Sequence, residues 1–400
     1  MVDFLPFRGL VPRIAPGESI EERVSPPYDV IGEEERKSLQ SYKHNVTKLT
    51  LGAEKGSYAR AAKLLGSWIS EGRLQKDERE CYYLLRQTFQ HEGGPSTRTG
   101  LVGALRLEDY GEGNISPHEE TFSDVKEDRL NLLRSMEAHL ESIFCLYDRM
   151  STGLMAEIED EAEILFEVVD KDGTKHAFGR ISDGGTVRRI AEEIAGKKLL
   201  IADGHHRYET ALKYSIENAG DEKKRYVLAT LVPGNDPGLA VMPTHRIFKN
   251  VQIATEELLQ RASSFFAIWE MLSLDEMLRY MRANDRVCLG VIMANGQKFV
   301  FELAWKPADG PLWSVDTYVC EELILNKILS KKGEVTVEYD HDALSVAKKM
   351  ENGAETLAVI LSPPKLETIW QVAKEGERMP KKSTYFHPKV WSGFVAYNMR

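Results

Sequence analysis

The sequence predicts a mixed α/β fold, and three features favour this class. Apolar residues recur at helical spacing in some segments and form short continuous runs typical of strands in others. The two kinds of segment alternate along most of the chain, as expected of helices packed on sheets. The composition, 42% hydrophobic and 28% charged residues in a chain of 400, is that of a folded globular protein.

In the first third of the chain the sequence predicts a loop, then two helices, then a β-hairpin. The N-terminal residues 1–30 are predicted to be loop, because each proline there fixes φ and restricts the residue before it. Helices are predicted over Glu33–Ser41 and 58–71. Strands are predicted over 81–90 and 98–107, on either side of a Gly-Gly-Pro turn.

The rest of the chain continues the alternation. Leu130, Leu133 and Met136 share one face of a helix predicted over 123–141. Strands are predicted over 142–147, 164–170, 176–181, 198–202 and 225–232, and helices over 186–194 and 208–218. After residue 254 the predicted order is helix, strand, helix, a hairpin over 286–304, helix, strand, helix, strand and helix. A boundary near Asn250 gives two predicted domains, 1–250 and 251–400.

Charge and cysteine content narrow the classes of partner. The chain has 52 Lys and Arg against 62 Asp and Glu, a net charge of −10, which disfavours nucleic acid and anionic membrane surfaces as partners. No segment approaches the ~18 apolar residues of a membrane-spanning helix, so no membrane contact is expected. The cysteines at 81, 145, 288 and 320 form no short-spaced pair, which favours a reducing compartment. We therefore expect a soluble, cytoplasmic protein.

The most informative motif lies where a strand is predicted to give way to a helix, at Asp203-Gly204-His205-His206-Arg207. The first amides of a helix and its dipole favour an anion, and an arginine adds paired donors that match phosphate oxygens. Gly204 allows close backbone approach, and His206 can donate to a phosphate oxygen. The motif therefore predicts a phosphate-binding site. The alternative is a helix capped by Asp203 with ordinary surface histidines.

The string DGHHRYETA around this motif is similar to the helix-start box of the ParB/sulfiredoxin superfamily, which includes free-serine kinases on the ParB fold. The resemblance implies a ParB/sulfiredoxin-like N-terminal and central region followed by a second α/β region. It also implies that Gly204, His206 and Arg207 contact nucleotide phosphate. His205 stands where sulfiredoxins have their reactive cysteine, so cysteine-based sulfinic acid reduction is not available at this position.

Nearly the whole chain also resembles the prokaryotic domain-of-unknown-function family ten-fifteen. The matching strings are VSPPYDVI, PHEETFSDVKEDRLNLL, IADGHHRYETAL, MPTHRIF and MPKKSTYFHPK. This resemblance is specific for the family and implies little biochemistry.

A second group of candidate residues follows Pro117. Glu119 and Glu120 are predicted to bind Mg²⁺, with Glu119 also a candidate general base, because Mg²⁺ favours carboxylates shared with phosphates. His118 is assigned to substrate binding. Lys126 and Arg129 lie three residues apart on one helix face and are candidate phosphate contacts. Equally, the two glutamates are consistent with a solvated first helical turn, and the two cations with pairing to nearby acids.

Three further segments are candidates for the same pocket. His245 is a candidate acid or base and Arg246 a candidate phosphate contact, in Pro-Thr-His-Arg; a strand end with a surface arginine is the alternative. Tyr28 and Asp29 follow a rigid Ser-Pro-Pro segment and are assigned to substrate binding. The alternative is that this segment is only a structural turn. The basic segment 379–389 is a secondary anion-binding candidate.

These residues together predict a nucleotide-dependent phosphotransferase acting on a small hydroxylated metabolite, with free serine suggested by the resemblance. The expected cofactor is ATP or ADP with Mg²⁺, and the proton acceptor is one of Glu119, Asp203 and His205. Two alternatives stay open: a nucleotide-sensing regulator without turnover, and a metallohydrolase using His118, Glu119, His205 and His245. The expected partners are a nucleotide and a small substrate.

Overall fold

The computed structural model describes residues 1–52, 58–91, 93–121, 123–251, 253–306, 308–329, 335–351 and 356–400. It confirms the mixed α/β class. The helices are α1 (Glu33–Ser41), α2 (Thr47–Thr50), α3 (Tyr58–Ser70), α4 (Ser123–Met136), α5 (Thr152–Glu161), α6 (Gly184–Ala195), α7 (His205–Glu217), α8 (Thr255–Ala262), α9 (Leu274–Ala283), α10 (Asp316–Val319), α11 (Ala343–Met350) and α12 (Leu366–Lys374). A π-helix, Cys320–Ile328, directly follows α10.

The strands are β1 (Phe4–Leu5), β2 (Leu10–Pro12), β3 (Leu74–Lys76), β4 (Tyr82–His91), β5 (Gly94–Arg106), β6 (Ile115–Pro117), β7 (Ala138–His139), β8 (Ile143–Tyr147), β9 (Glu163–Val169), β10 (Lys175–Ile181), β11 (Leu199–Asp203), β12 (Tyr226–Pro233), β13 (Ala240–Met242), β14 (His245–Lys249), β15 (Phe266–Met271), β16 (Cys288–Met293), β17 (Lys298–Leu303), β18 (Thr336–Asp340), β19 (Thr356–Ile360), β20 (Tyr385–His387) and β21 (Tyr397–Asn398). Most predicted elements are present with ends shifted by a few residues.

Two helix ends differ from the prediction for local reasons. The helix predicted to reach residue 141 ends at Met136, because Glu137 takes φ 50° and the next two residues form β7. The helix predicted from residue 208 begins at His205, after Gly204 with φ 92° and ψ 26°. Gly204 occupies the N-cap position, and among the described residues no side chain caps α7, so the alternative of a helix capped by Asp203 is wrong.

The chain divides into two compact units, each formed by segments that are separated along the sequence. The first unit comprises 1–117, 121–240 and 388–400, and the second comprises 118–120 and 241–387. The last thirteen residues belong to the first unit because they pair there: Tyr397 and Asn398 of β21 lie opposite His139 and Ala138 of β7. The C-terminal segment joins the first unit through strand pairing between residues far apart in sequence, and local sequence periodicity does not predict such pairing.

In the described residues of the first unit, a nine-stranded sheet has the order β6-β11-β8-β12-β5-β4-β10-β9, with β1 paired to β5. Strand β11 lies parallel to β6 and antiparallel to β8. The register of β11 against β8 shifts between Ile201 and Asp203, so a bulge reorients the end of the strand. Burial of β11 on both faces is consistent with its continuous apolar run. The sheet thereby places Asp203 at the end of a strand that is paired on both sides.

The second unit has its own sheet, with the order β15-β17-β16-β19-β14-β18 in the described residues. Its core is separate and includes Leu258, Phe301, Leu323 and Val359, each fully buried. The predicted hairpin over 286–304 is present as β16 and β17. Within the described residues, no helix in either unit is both long and apolar enough to cross a membrane.

Candidate functional site

The strand-to-helix junction of the first unit is organised around the Asp203 carboxylate. Arg207 Nη2 donates to Asp203 Oδ2 at 2.8 Å, and Lys389 Nζ donates to Asp203 Oδ1 at 2.9 Å. Burial raises the pKa of Asp203, but the charges of Lys389 and Arg207 outweigh burial and hold that pKa well below its usual range. Asp203 is therefore an anion at neutral pH that fixes two cations at the start of α7.

Arg207 lies in the first turn of α7, where helix amides and the helix dipole favour anions. Its Nη1 donates to the main-chain oxygen of Ser142. Burial lowers the pKa of Arg207, and the carboxylates of Asp203 and Glu141 more than compensate, so the net pKa is raised. The guanidinium therefore stays charged and is fixed in orientation by one carboxylate and one carbonyl.

Glu141 connects this junction to the Ser-Pro-Pro segment. Its Oε1 accepts a hydrogen bond from the Tyr28 amide at 3.1 Å and one from Ser392 Oγ at 3.4 Å. Burial raises the pKa of Glu141, and the charges of Arg207 and Arg129 lower that pKa only in part. Glu141 is half-buried, and a carboxyl with a raised pKa is a feature of general bases and acids.

Tyr28, Asp29 and Arg129 belong to the same charged environment. The Arg129 guanidinium lies 4.6 Å from the centre of the Tyr28 ring. Burial, and then the Asp29 charge, raise the pKa of Tyr28. Asp29 is exposed, and its charge also acts on Arg207. The structure thus brings five predicted residues, Tyr28, Asp29, Arg129, Asp203 and Arg207, into one part of the first unit.

The remaining predicted residues of the first unit are distributed around α7. His205 and His206 are its first two residues, the former buried and the latter half-buried. Lys126 forms an ion pair with Glu209 of α7. This agrees with the alternative prediction, in which Lys126 pairs with a nearby acid. The Thr121 hydroxyl also donates to Glu209, at 3.1 Å. Lys126 is therefore partly neutralised by the helix that carries Arg207.

Sequence reasoning missed three charged residues that contribute to this site. Lys389 lies in the segment 379–389, which was predicted only as a secondary anion-binding candidate, and no motif surrounds Glu141. Arg98 is 1% exposed and donates to Gln87 and to the Pro388 carbonyl. Its burial lowers its pKa to about 10, opposed by the charges of Asp236 and Asp203. Arg98 is the first residue of the predicted strand 98–107, and no motif surrounds it.

Of the residues predicted after Pro117, His118, Glu119 and Glu120 lie in the second unit, where Glu119 has a different environment. Glu119 Oε1 accepts from the Lys382 amide at 2.7 Å, and Oε2 accepts from the Ser383 and Thr384 amides at 3.2 and 3.4 Å. Lys382 takes φ 59°, which turns these successive amides toward one anion. In this structure the carboxylate stabilises the loop 382–384.

His118 and Glu120 flank this carboxylate in sequence. His118 is fully buried, and its Nε2 lies 2.9 Å from Thr384 Oγ1. Glu120 is exposed and bonds through its amide to the Met379 carbonyl at 3.1 Å. No group of three or more His, Cys, Asp or Glu among the described residues is arranged to hold a metal ion. The Mg²⁺ assignment of Glu119 and Glu120 and the metallohydrolase alternative stay predictions.

His245 and Arg246 begin β14 in the second unit, and both are buried. His245 Nδ1 accepts the Leu361 amide at 3.1 Å, and burial lowers the pKa of His245 to about 4. Arg246 donates to the carbonyls of Thr244 and Lys381, the latter at 3.0 Å. All of these contacts lie within the second unit, and the roles assigned to His245 and Arg246 at a nucleotide stay predictions.

The chain belongs to the family described as Protein of unknown function (DUF1015), whose model matches residues 4–318. The predicted family membership is thereby confirmed, and the matching string at 379–389 lies beyond the matched residues. No curated protein matches the chain.

Several solved structures are similar to the chain. One is a mutant free serine kinase in complex with AMP, with a TM-score of 0.39 and 13% identity over 68% of this chain and 84% of that one. A conserved hypothetical protein from Pyrococcus furiosus has a TM-score of 0.38 and 15% identity over 70% and 89%. SbnI with a C-terminal truncation, from Staphylococcus aureus, has a TM-score of 0.39 and 11% identity over 73% and 85%. Similarity at this level does not establish a shared activity.

Substitution of Gly204 by alanine is expected to destabilise the protein and displace Arg207. A Cβ at this position would sit at φ 92° and 3.1 Å from three atoms of the Arg207 guanidinium side chain. We expect a loss of ~2 kcal/mol in the free energy of unfolding, measured by urea denaturation, from backbone strain and crowding together.

Gly113→Ala is the matched control, because Gly113 has φ 75° and a Cβ there would meet no other atom within 4 Å. Gly113→Ala should show the strain without the crowding and should cost about half as much. Equal losses in the two variants would contradict close packing of Arg207 on Gly204.

Proposed function

We propose that the first unit binds the phosphates of ATP or ADP at the start of α7 and transfers one phosphoryl group to a small hydroxylated metabolite, with free serine the first acceptor to test. One observation carries this proposal. Arg207 and Lys389 both donate to Asp203, next to the N-terminus of α7, which begins directly after Gly204. Fixed cations next to helix amides form an environment suited to phosphate.

Arg207 keeps donors for a ligand in this arrangement. A guanidinium has five N–H groups, and the bonds that Arg207 makes to described residues use Nη1 and Nη2 once each. Gly204, His206 and Arg207 are the proposed phosphate contacts, and Arg129, which forms an ion pair with Asp128, lies beside Tyr28. Because Asp203 is held ionised by two cations, we assign it to positioning them and not to accepting a proton.

The proton acceptor is proposed to be Glu141 or Asp29. In the transfer step the acceptor oxygen bonds to the terminal phosphorus, the bond from that phosphorus to the bridging oxygen breaks, and the hydroxyl proton passes to a carboxylate. The raised pKa of Glu141 supports it in this role, and the exposure and charge of Asp29 near Arg207 support the alternative. His205 stays a predicted candidate.

Mg²⁺ is proposed to enter with the nucleotide, where it would neutralise phosphate charge. Glu119 fits a direct metal role poorly, because both of its oxygens accept backbone amides. The proposed transfer therefore does not depend on metal ligation by Glu119 or Glu120.

The first experiment is calorimetric titration of the full chain with ATP and with ADP, each with Mg²⁺, followed by incubation with L-serine and detection of phosphoserine. We expect binding of at least one nucleotide and phosphoserine formation. Arg207→Ala should weaken binding by at least tenfold, because hydrogen bonds to charged groups contribute about 1.5 kcal/mol or more. Arg188→Ala is the matched control, since Arg188 is exposed on α6 of the same unit and should leave affinity unchanged.

The outcomes separate the parts of the proposal. Binding without phosphoserine would reject serine as acceptor and favour a nucleotide sensor. No binding of either nucleotide, or equal affinity in folded Arg207→Ala, would reject the phosphate site. Between Glu141→Gln and Asp29→Asn, the variant that binds nucleotide normally and loses turnover identifies the proton acceptor.

A further inference from the structure

A cavity lies in the second unit and takes no part in the function proposed above. Its volume is about 170 Å³, which is enough for a molecule of amino-acid size. Phe248 and Tyr339 line it from the sheet, and Leu325 and Glu321 line it from the π-helix. π-helices are rare and are found frequently at functional sites.

Arg246 also lines this cavity, and its charge is poorly compensated by the protein. The side chain is 5% exposed, and its hydrogen bonds go to the neutral carbonyls of Thr244 and Lys381. Its guanidinium lies 5.0 Å from the centre of the Tyr339 ring. Across the described residues, no carboxylate lies within ion-pair distance of Arg246, and more distant charges offset the effect of burial on its pKa only in part. A buried cation without a close counter-ion is costly, so an anion entering the cavity would be strongly favoured.

Besides the positive charge of Arg246, the cavity is lined by carboxylates and by apolar side chains. Glu120 and Glu321 line it and are also exposed to solvent, and Lys381 adds a second cation. Two carboxylates in so small a space would repel a phosphate dianion. They would attract an ammonium group, while Phe248 and Leu325 offer apolar contact to a side chain.

We infer that this cavity binds an α-amino acid with an apolar side chain, its carboxylate on Arg246 and its ammonium group toward Glu120 and Glu321. The inference does not rest on the proposed phosphotransferase function, because every residue involved belongs to the second unit.

The test is calorimetric titration of the full chain with three probes: L-leucine, 4-methylpentanoate, which lacks the ammonium group, and 3-methylbutylamine, which lacks the carboxylate. We expect L-leucine to bind and both half-probes to bind at least tenfold more weakly. Arg246→Met should abolish L-leucine binding, whereas Arg282→Met, at an exposed position on α9 of the same unit, should not change it.

A second variant keeps the test decisive if Arg246→Met fails to fold. Leu325→Trp fills the half-buried cavity wall and leaves Arg246 intact, so it should also abolish binding. Absence of L-leucine binding at millimolar concentration would overturn the inference, as would unchanged binding in Leu325→Trp. Equal affinity for 4-methylpentanoate would overturn the assigned role of the two glutamates.

Discussion

Lys389→Met is expected to lower the free energy of unfolding by about 2 kcal/mol at pH 7, because it breaks a largely buried ion pair. Lys389 and Asp203 are 10% and 22% exposed, and the bond between them is 2.9 Å long. Removal of one partner from a fully buried pair costs more, but here Asp203 keeps Arg207 as a second partner. Urea denaturation followed by circular dichroism measures the loss.

The pH dependence distinguishes lost charge pairing from lost packing. The folded-state pKa of Asp203 lies below its ordinary value of 3.8, so the pairing stabilises the fold above that value. This contribution disappears as the pH falls through the lowered pKa. The difference between wild type and Lys389→Met should therefore be constant from about pH 5 to pH 8 and decrease below pH 4.

Lys365→Met is the matched control. Lys365 and Asp285 form an ion pair at 3.5 Å, with side chains 72% and 103% exposed, and such pairs contribute less than ~1 kcal/mol. In the double variant Asp203→Asn with Lys389→Met, the losses should be non-additive, because the two side chains interact. A Lys389→Met loss that does not change with pH, or full additivity, would show that Lys389 acts through packing alone.

How much of this site the sequence predicted depends on the distance along the chain between interacting residues. The motif from Asp203 to Arg207 is local, and a buried apolar run followed by glycine and polar residues predicted the strand, the turn and the helix. Lys389 reaches Asp203 from 186 positions away. No periodicity within a helix or strand carries that information, so the pairing was not predictable from one sequence.

Glu119 is a second residue whose partners lie too far along the chain to be predicted from local sequence. A carboxylate after proline and histidine has the residue types of a metal or base site. Its actual partners are amides of residues 382–384, more than 260 positions away, and one of them requires the positive φ of Lys382. Residue type suggested Mg²⁺, a substrate proton or solvent as the partner of this carboxylate, whereas the long-range fold supplies the backbone amides of residues 382–384.

Asp316→Asn is expected to remove a pH-dependent loss of stability that the wild type shows between pH 4 and pH 7. Asp316 is 8% exposed, and its Oδ2 accepts the Ser362 amide at 2.8 Å. Burial raises the pKa of Asp316 to about 7, and no described cation forms an ion pair with it. The asparagine amide can accept the same hydrogen bond without carrying a charge.

The sign of the effect follows from proton binding in the two states. In the unfolded chain Asp316 releases its proton near its ordinary pKa of 3.8, while the folded protein holds the proton until about pH 7. Stability is therefore fully present below pH 4 and is lost as the pH rises, with a slope of up to ~1.4 kcal/mol per pH unit. Across this window Asp316→Asn should gain up to ~4 kcal/mol relative to wild type.

Urea denaturation at pH 4.5, 6 and 7.5 measures this difference, with Asp285→Asn as the control. Asp285 is 103% exposed, so its replacement should leave the pH dependence of stability unchanged. Parallel stability curves for wild type and Asp316→Asn would mean that the folded protein ionises Asp316 as easily as the unfolded chain does. That result would contradict a dry environment around this carboxyl in the core of the second unit, whereas a widening difference between the curves would locate the titrating group at Asp316 itself.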